Sequence, residues 1–378
     1  MRIGIDARMY GKGFGLARYI EQLILHLEKI NTDNEYIIFL KKDNWDGFEP
    51  TNNRFKKVSA DIPWYGFAEQ LKFPTIIKKQ KVDLMHFPHF NVPILYTKPY
   101  IVTIHDLIMF HYPRQEASTH GSLVYKLKDK IHHLVLRRAV RCAKHILVTS
   151  EFTKQDIHET LGAPMSKMTV TYQAPFEGAK NIQQDPQSLL KKYGITSPYI
   201  MYVGAAYPHK NLEGLLSGWE TFQKKYGEEY QLVLVGKENF FYTKLKERIL
   251  PNYKNVIYTG FVPDDDLSIL YKNALLYVFP SLYEGFGLPP LEAMVHGVPV
   301  VSSNRSCLPE VLGNAALYFD PENREEMAEC LYQGISDFSL RDTLKQNAQM
   351  LLPNYSWDTL AHETLHIYKD QEGIEKLG

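Results

Sequence analysis

The feature that most constrains the fold is a repeated alternation of short apolar runs with helix-period segments. Most runs are apolar throughout, which is typical of parallel strands covered on both faces, and such strand–helix repeats build doubly wound α/β sheets. The first series of predicted strands is Arg2–Asp6, Glu35–Leu40, Asp83–Phe87, Tyr100–Ile104, His145–Thr149 and Met168–Tyr172. The second is Tyr199–Val203, Gln231–Val235, Val256–Thr259, Leu275–Phe279, Pro299–Ser302 and Ala316–Phe319.

A polar stretch, Glu177–Ser197, separates the two series and includes one short helix candidate. A length of 378 residues fits two domains better than one. We predict a Rossmann-like domain over 1–180, a linker over 181–197, a second Rossmann-like domain over 198–354 and a terminal helical segment over 355–378. Ligands sit outside the carboxyl ends of strands in open α/β sheets, so two such domains face to face would form one cleft.

Composition argues against nucleic acid as a partner and against disulfide or zinc sites. Lys plus Arg and Asp plus Glu number 43 each, and this zero balance argues against nucleic acid, which requires a basic footprint. The three cysteines are far apart without a CxxC pair, so we expect neither a disulfide framework nor a zinc site. The start MRIGIDARM predicts a strand rather than a signal peptide, and no apolar run reaches membrane-spanning length. We expect a cytoplasmic protein, held at most peripherally on the cytoplasmic face of a membrane.

The segment Pro280–Ser302 carries the strongest chemical signal, in the letters PSLYEGFGLPPLEAMVHGVPVVS. A glycine-rich turn follows a strand, and a short helix is predicted from about Pro290 to His296. Bare N–H groups at such a helix start bind phosphates. Glu284 and Glu292 bracket the turn, and carboxylates beside a phosphate find their natural partners in hydroxyls, such as those of a sugar and a ribose. The alternative is an ordinary β–α turn with two surface glutamates.

This segment resembles the signature of the retaining glycosyltransferase family four, which has the GT-B fold. Four further segments resemble family features and extend the likeness over almost the whole chain: GLARYIEQL (15–23), the first glycine loop and helix; TIHDL (103–107), an acceptor-domain turn; YVGAAYPHKNLEGLL (202–216), a phosphate-binding turn; and TGFVPDDDLSILYKNA (259–274), a base-binding loop. The terminal YSWDTLAHETLHIY (355–368) resembles the closing helix that packs back on the amino-terminal domain. The resemblance implies two Rossmann-like domains facing a central cleft, with the acceptor on the first and the donor on the second.

By this resemblance, Lys210 meets the leaving diphosphate, Glu284 binds hydroxyls of the transferred sugar and Glu292 takes the ribose diol. The base contacts Gly260–Leu267, mostly through backbone. The expected catalytic residues are Glu284, Lys210 and His105. The expected donor-binding residues are Gly15, Gly204, His209, Lys210, Val262, Leu267, Tyr283, Glu284, Gly285, Phe286, Gly287, Leu288 and Glu292.

The resemblance also implies retention without a metal ion. Front-face substitution passes through an oxocarbenium-like state, and the leaving phosphate removes the acceptor proton, so paired acid and base carboxylates are not required. No DxD motif stands where Mg²⁺ would need one. We expect a nucleotide diphosphate sugar as co-substrate, no metal or other cofactor, and a glycan or lipid-linked acceptor.

The turn before Lys210 departs from the commonest family pattern. Ala205 stands where an arginine often lies, and GAAYPHKN is closer to a branch with VGTLEPRKN, so His209 replaces an arginine. One positive charge is therefore missing or pH-dependent at the diphosphate. Mannosyl and rhamnosyl transfer are common expectations for that branch. We favour GDP-mannose, with UDP-sugars open, and a bacterial surface glycan as product.

Several residues leave alternatives open. His105, at the end of a predicted strand, fits a catalytic or sugar-contacting role or a buried structural one, and Asp106 fits a functional role or a helix cap. The run GKGFGLARY is not GxGxxG. By resemblance Gly15 lets the backbone approach the donor phosphates or the acceptor, whereas a plain turn is the alternative.

The region Tyr125–Lys144 is rich in lysine and arginine. A basic helix there could rest on an anionic membrane, although a solvated charged face is the commoner meaning of such a run. Trp64, Tyr65 and Phe67 could add an aromatic contact or simply pack.

Three rival functions remain at this point. A sugar-nucleotide 2-epimerase of the same shape would not need the two-glutamate turn. A dinucleotide oxidoreductase is disfavoured by the broken glycine fingerprint, and a catalytically dead sugar-nucleotide-binding protein by the intact Glu284, Lys210 and Glu292.

Overall fold

The structure is a computed structural model that describes residues 1–11, 15–30, 33–113, 122–176 and 185–375, without the side chains of 122–126, 248 and 372–375. The chain falls into two compact units. The first comprises Met1–Phe110, Ser118–Gln173 and Ser356–Gly378, and the second comprises His111–Ala117 and Ala174–Tyr355.

The first unit is built on a seven-stranded sheet in which every pair of neighbouring strands is parallel. Its strands are β1 (Arg2–Asp6), β2 (Glu35–Leu40), β3 (Phe55–Ser59), β4 (Leu84–Phe87), β5 (Tyr100–Ile104), β6 (His145–Val148) and β7 (Met168–Val170), in the spatial order β3-β2-β1-β4-β5-β6-β7. Its helices are α1 (Leu16–Lys29), α2 (Phe67–Lys79), α3 (Ile108–His111, at the boundary of the units), α4 (Ser122–Cys142) and α5 (Glu151–Leu161), together with the last helix of the chain, Trp357–Glu375.

The second unit has a six-stranded parallel sheet. Its strands are β8 (Tyr199–Val203), β9 (Gln231–Val235), β10 (Val256–Gly260), β11 (Leu276–Phe279), β12 (Val300–Ser303) and β13 (Ala316–Phe319), in the order β10-β9-β8-β11-β12-β13. Its helices are α6 (Pro186–Lys192), α7 (Leu212–Tyr226), α8 (Phe240–Arg248), α9 (Asp264–Asn273), α10 (Leu288–Val295), α11 (Leu308–Leu312), α12 (Arg324–Ser336) and α13 (Phe338–Leu351). The predicted fold class, two doubly wound parallel-sheet units, is confirmed.

All twelve predicted strands are present, with ends that differ by at most two residues. The sequence analysis missed β3, which has the letters FKKVS. This strand lies at the edge of its sheet, and only its first residue, Phe55, is fully buried. An edge strand with two lysines lacks the continuous apolar run that identifies the central strands.

The last helix, α14 (Trp357–Glu375), belongs to the first unit and packs on α1. The Trp357 ring lies 6.4 Å from the ring of Tyr19. Deeper along the helix, the Tyr368 hydroxyl is 2.7 Å from Nδ1 of the buried His86. Both the apolar face of α14 and a buried hydrogen bond therefore attach the end of the chain to the first sheet. Among the helices of the described residues, none combines the length and the apolar character that crossing a membrane requires.

Candidate active site

The strand order of the second unit indicates where a candidate ligand site lies. The strands β8 and β11 are adjacent, and the strand order continues from them in opposite directions, to β9 on one side and to β12 on the other. In doubly wound sheets, ligands bind outside the carboxyl ends of the two strands at which the strand order reverses. The turn 204–211 follows β8 and the turn 280–287 follows β11. Two segments that are distant in sequence, and that were each predicted to bind the donor, therefore leave the sheet side by side.

An ion pair joins these two turns. Lys210 Nζ lies 2.6 Å from Glu284 Oε1, and the two side chains are 16% and 8% exposed. The same ammonium lies 5.4 Å from the centre of the Phe279 ring. A largely buried charge needs a close partner, and here two of the three predicted catalytic side chains, Lys210 and Glu284, are partners of each other.

Main-chain contacts fix the relative position of the two turns. The N–H of Leu282 donates to the carbonyl of His209 at 2.7 Å. The N–H of Glu284 donates to Ser306 Oγ at 3.0 Å, and its carbonyl accepts from Cys307 Sγ at 3.3 Å. The turn of Glu284 is therefore held on one side by the turn of Lys210 and on the other by the turn after β12. None of these contacts uses the Glu284 carboxylate.

Buried tyrosines support the turn after β8. The hydroxyl of Tyr202 donates to the carbonyl of Ala205 at 2.8 Å, and that of Tyr242 donates to the carbonyl of Gly204 at 2.9 Å. Burial raises the pKa of Tyr202 well above its usual value, with smaller contributions from Tyr242, Tyr277 and Glu284. These tyrosines stay protonated and act as hydrogen-bond donors.

Gly204 cannot be replaced without disturbing this support. Its φ is 156°, and a Cβ there would lie 2.6 Å from the Tyr202 hydroxyl oxygen. The predicted donor-site glycine is therefore required by the close approach of backbone and tyrosine.

The helix α10 begins at Leu288, two residues earlier than predicted. Gly287 precedes it with φ 90°, a left-handed conformation that L side chains rarely adopt, and a Cβ there would lie 2.8 Å from Leu308 Cδ2. Prolines occupy the start of the helix, where no intrahelical N–H bond is lost. The amides of Gly285–Leu288 thus lie at a helix start beside the Lys210–Glu284 pair, and Glu292 lies on the same helix, partly exposed.

Three other predicted donor-site residues are buried among aromatic rings. The His209 side chain is 1% exposed, and its ring lies 5.8 Å from that of Tyr207. Tyr283 and Phe286 are 6% and 5% exposed, and the Phe286 ring packs edge-on against Tyr355 at 5.5 Å. These side chains pack against neighbouring rings, and their roles in donor binding stay predictions.

The sequence analysis missed His111 and Tyr112 as neighbours of this site. The His111 ring lies 5.1 Å from Tyr283, and the Tyr112 ring lies 6.0 Å from His209 and 6.1 Å from Tyr283. Both precede the second series of strands by more than eighty positions, so no local pattern points to this contact.

The predicted base-binding loop follows β10. Val262 and Leu267 are 2% and 6% exposed, and α9 starts directly after Pro263. Both side chains are therefore in the core, whereas Phe261 in the same loop is 56% exposed, and the contact of this loop with a base stays a prediction.

In the first unit the strand order reverses between β1 and β4, so the ligand edge lies at their carboxyl ends. Gly15 ends the loop after β1. It is exposed, and its φ of 66° with ψ of −113° is a conformation suited to glycine at the N-cap of α1.

His105 follows the next strand, β5, and both of its ring nitrogens are engaged. Nε2 donates to the carbonyl of Pro88 at 2.9 Å, which leaves Nδ1 to accept from Gln173 Nε2 at 3.0 Å. Burial lowers the pKa of His105 to about 4, so the ring is neutral near pH 7. The geometry gives His105 a role in fixing the ends of β4 and β5, and its catalytic role stays a prediction. Asp106 accepts from the N–H of Ile108 at 2.9 Å and thereby caps α3.

A buried ionic cluster at the same edge was not anticipated. Arg8 Nη2 lies 2.7 Å from both Asp6 Oδ2 and Glu69 Oε1, and Asn91 Nδ2 donates to Glu69 Oε1 at 2.8 Å. The Arg8 guanidinium also lies 3.9 Å above the Phe73 ring. The available sequence signal was Arg8 itself, a charged residue two positions after the end of the first predicted strand. Within the described parts of the chain, no group of three or more His, Cys, Asp or Glu is arranged to hold a metal ion.

Comparison with known proteins shows the family of the chain. The family model "Glycosyl transferases group 1" matches residues 186–373, and "Glycosyltransferase Family 4" matches residues 15–174. The O-antigen chain mannosyltransferase B of Escherichia coli is 31% identical over 301 residues, which cover 78% of this chain and 76% of that protein. The chain belongs to glycosyltransferase family 4. It is also similar to the O-antigen chain mannosyltransferase RfbU of Salmonella typhimurium, with 29% identity over 70% of this chain and 68% of that protein.

Solved structures share the fold of this family 4 glycosyltransferase. Sucrose-phosphate synthase from Thermosynechococcus elongatus has a TM-score of 0.75 at 17% identity and covers 99% of this chain and 100% of its own. WaaG, a glycosyltransferase involved in lipopolysaccharide biosynthesis, has a TM-score of 0.70 at 14% identity and covers 97% and 99%. The predicted family, GT-B fold class and enzyme class are confirmed.

Proposed function

We propose that this glycosyltransferase transfers a mannosyl group from GDP-mannose to a glycan or lipid-linked acceptor during the synthesis of a bacterial surface polysaccharide. Two relatives that match over most of their length are named O-antigen mannosyltransferases. A third, the serotype-specific mannosyltransferase WbdA of Escherichia coli, is 34% identical over 180 residues, 47% of this chain and 22% of that protein. These names support mannose as the sugar, and UDP-sugars are the alternative donors.

The observation that carries the proposal is the Lys210–Glu284 ion pair at the strand reversal of the second unit. A nucleotide diphosphate sugar has a diphosphate beside a sugar ring that carries hydroxyl groups. An ammonium binds the diphosphate, and a carboxylate accepts hydrogen bonds from the hydroxyl groups. In the structure each charged group is the partner of the other. We infer that donor binding exchanges this pair for a Lys210–phosphate contact and a Glu284–hydroxyl contact.

The proposed reaction proceeds with retention. The bond between the anomeric carbon and the diphosphate oxygen breaks, the acceptor oxygen bonds to the same face of that carbon, and the acceptor proton passes to the leaving diphosphate. The Lys210 ammonium and the N–H dipoles of Gly285–Leu288 are the fixed groups that meet the negative charge developing on the diphosphate. Because these groups belong to the chain, we propose that no metal ion is required.

A donor screen tests this function. The purified chain would be titrated with GDP-, UDP-, ADP- and dTDP-sugars, and turnover with the tightest donor would be followed in excess EDTA, with the anomeric configuration of the product determined by NMR. We expect GDP-mannose to bind tightest, transfer to continue in EDTA, and the product to be an α-mannoside. The Glu284→Ala variant should lose nearly all transfer, whereas the matched surface variant Glu247→Ala should retain it.

Each part of the proposal can fail separately. Tighter binding of another nucleotide sugar would show that GDP-mannose is not the donor. Activity that disappears in EDTA and returns with Mg²⁺ or Mn²⁺ would contradict metal independence. Normal turnover by Glu284→Ala would contradict the assignment of the site.

A further inference from the structure

Left-handed backbone at residues other than glycine lies beside both members of the Lys210–Glu284 pair. Within the described ranges, five such residues have a φ in the left-handed region: Tyr65, Lys81, Asn211, Asn255 and Ser306. Asn211, with φ 56°, directly follows Lys210. Ser306, with φ 53°, accepts the hydrogen bond from the N–H of Glu284. L side chains rarely adopt this conformation, and where they do the surrounding contacts hold them in it.

The side-chain amide of Asn211 connects the turn of Lys210 to the ends of two other strands. Its Nδ2 donates to the carbonyl of Pro280, directly after β11, at 3.3 Å, and to that of Pro321, two residues after β13, at 2.8 Å. Pro280 begins the turn that carries Glu284. Asparagine is one of the few residues besides glycine that tolerate left-handed backbone, and unlike glycine it has an amide to donate. Asn211 therefore meets two requirements of this turn at once.

A glycine inside α7 makes room for this amide. Gly214 lies in the first turn of α7 (Leu212–Tyr226), where alanine would favour the helix more. A Cβ at this position would overlap the side chain of Asn211, which supplies all three of the atoms nearest to it. The glycine thus has a packing reason, and that reason is the position of the Asn211 amide.

Ser306 supports the other member of the pair from the turn after β12. Its Oγ accepts from the N–H of Glu284 at 3.0 Å, and Sγ of the neighbouring Cys307 donates to the Glu284 carbonyl at 3.3 Å. Glycine would suit the left-handed backbone of Ser306 better, but it has no hydroxyl to accept this bond. The main chain of Glu284 is therefore held at both its N–H and its carbonyl by two successive residues.

We propose that Asn211 and Ser306 are positioning residues of the transfer reaction. Asn211 fixes the backbone of Lys210 relative to the turn of Glu284, and Ser306 fixes the backbone of Glu284 itself. The ammonium must face the diphosphate while the carboxylate faces the sugar, and a misplacement of about 1 Å at a reacting centre can cost about 10²-fold in rate. This inference rests on the proposed function, because both residues act through side chains assigned to the donor.

The variants Asn211→Gly and Gly214→Ala test the role of the amide in two ways. The first keeps a residue that suits left-handed backbone and removes the amide, whereas the second keeps the amide and displaces it. We expect each to lower the transfer rate by about 10- to 100-fold and the affinity for GDP by roughly fivefold, measured by initial rates and calorimetric titration. The double variant should lose no more than Asn211→Gly alone, because Ala at 214 then has no side chain to displace.

A cycle with Lys210→Met separates positioning from a general loss of structure. If Asn211 acts through Lys210, Asn211→Gly should not lower GDP affinity further in a chain that already has Lys210→Met. A full additional loss in that background would show that Asn211 acts independently of Lys210, and it would overturn the proposal for Asn211.

Asn255→Gly is the matched control. Asn255 also has left-handed backbone, with φ 54°, and its Nδ2 donates to the carbonyl of Glu228 at 2.6 Å. It directly precedes β10, at the amino ends of the parallel strands, whereas Lys210 and Glu284 follow the carboxyl ends. The variant loses the same kind of bond and should keep the wild-type transfer rate and GDP affinity. Equal losses in Asn255→Gly and Asn211→Gly would contradict the proposal.

Ser306→Gly tests the support of Glu284. Glycine suits the backbone at this position, so the urea midpoint should change little, while the transfer rate falls by about tenfold. The affinity for GDP should stay within about twofold of the wild type, because GDP carries no sugar hydroxyl for Glu284 to bind. An unchanged rate, or a rate that falls only together with the urea midpoint, would remove the role assigned to Ser306.

The donor screen separates this proposal from the proposed function. If another nucleotide sugar binds tightest, the assignment of GDP-mannose fails, and the cycle with Lys210→Met is measured with the corresponding nucleoside diphosphate. If GDP-mannose is the donor and the variants Asn211→Gly, Gly214→Ala and Ser306→Gly transfer at the wild-type rate, the positioning roles fail alone.

Discussion

The ion pair of Lys210 and Glu284 joins the turns that follow β8 and β11 and gives each of the two side chains a charged partner. Substituting Glu284→Gln keeps the shape of the side chain and leaves its main-chain contacts to Ser306 and Cys307 intact, so the fold should be retained. Lys210 then has no carboxylate partner in this pair and is available to a diphosphate. We expect the affinity for GDP, which carries no sugar, to rise by roughly fivefold, while the transfer rate falls by about 10²- to 10³-fold. Calorimetric titration and initial rates measure the two effects.

Lys210→Met is the matched variant for this prediction. It removes the ammonium instead of the carboxylate, so GDP affinity and transfer should fall together, the affinity by at least about tenfold. If Glu284→Gln weakens GDP binding as strongly as Lys210→Met does, the carboxylate does not compete for Lys210 and the exchange of partners is wrong.

A site residue could be predicted from the sequence when its role depends only on residues close to it in the chain. Glu284, Gly287 and the start of α10 follow from a glycine-rich turn and prolines, which act over a few residues. The burial of His209 and the contact of Tyr112 with it depend on which turns the sheet brings together, and no local pattern encodes that. The same limit applies to Glu69, whose partner Arg8 lies 61 positions away in the chain.

At the scale of elements, the attachment of α14 depends on a buried chain of hydrogen bonds. The Tyr368 hydroxyl bonds His86 Nδ1, His86 Nε2 bonds Thr103 Oγ1 at 2.8 Å, and that oxygen lies 3.0 Å from the Tyr19 hydroxyl. Tyr368→Phe would leave a buried ring nitrogen of His86 without this partner. We expect the free energy of unfolding to fall by about 1–3 kcal/mol, measured by urea denaturation.

Tyr226→Phe is the control for this prediction. Its hydroxyl also bonds a side chain, Glu329, at 2.6 Å, but that bond is exposed to solvent. Removing it should cost less than about 0.5 kcal/mol, because water replaces the lost partner. Equal losses in the two variants would show that the buried chain does not hold α14.

The strands show how far elements can be predicted from pattern. Central strands such as β8 and β9 are buried along their whole length and are recognisable as apolar runs. The edge strand β3 exposes its lysines and is recognisable only once its neighbour β2 is in place. The order of the strands in a sheet cannot be predicted from any one apolar segment. The edge of each sheet at which a ligand would bind was therefore identified only from the strand order in the structure.

Over the whole molecule, the fully buried His86 and the partly buried His89 and His105 make stability depend on pH. Burial, with a smaller contribution from His105, lowers the pKa of His86 and His89 to about 3, and burial lowers the pKa of His105 to about 4. An unfolded histidine titrates near 6.5, so below that pH the unfolded chain binds protons that the folded chain does not. These residues therefore stabilise the fold fully above about pH 6.5, and the contribution is lost as pH falls toward their folded pKa values.

Between pH 7.5 and pH 5 we expect each of the three histidines to reduce the free energy of unfolding by about 2 kcal/mol. The urea midpoint of the first unit should drop steeply over this interval. In the same experiment His362→Gln with His366→Gln serves as the control, because those side chains are 59% and 77% exposed and should leave the slope unchanged. Equal stability at the two pH values would mean that His86, His89 and His105 take up protons in the folded protein. In that case the neutral His105, which donates to Pro88 and accepts from Gln173, would not be the form present at pH 5.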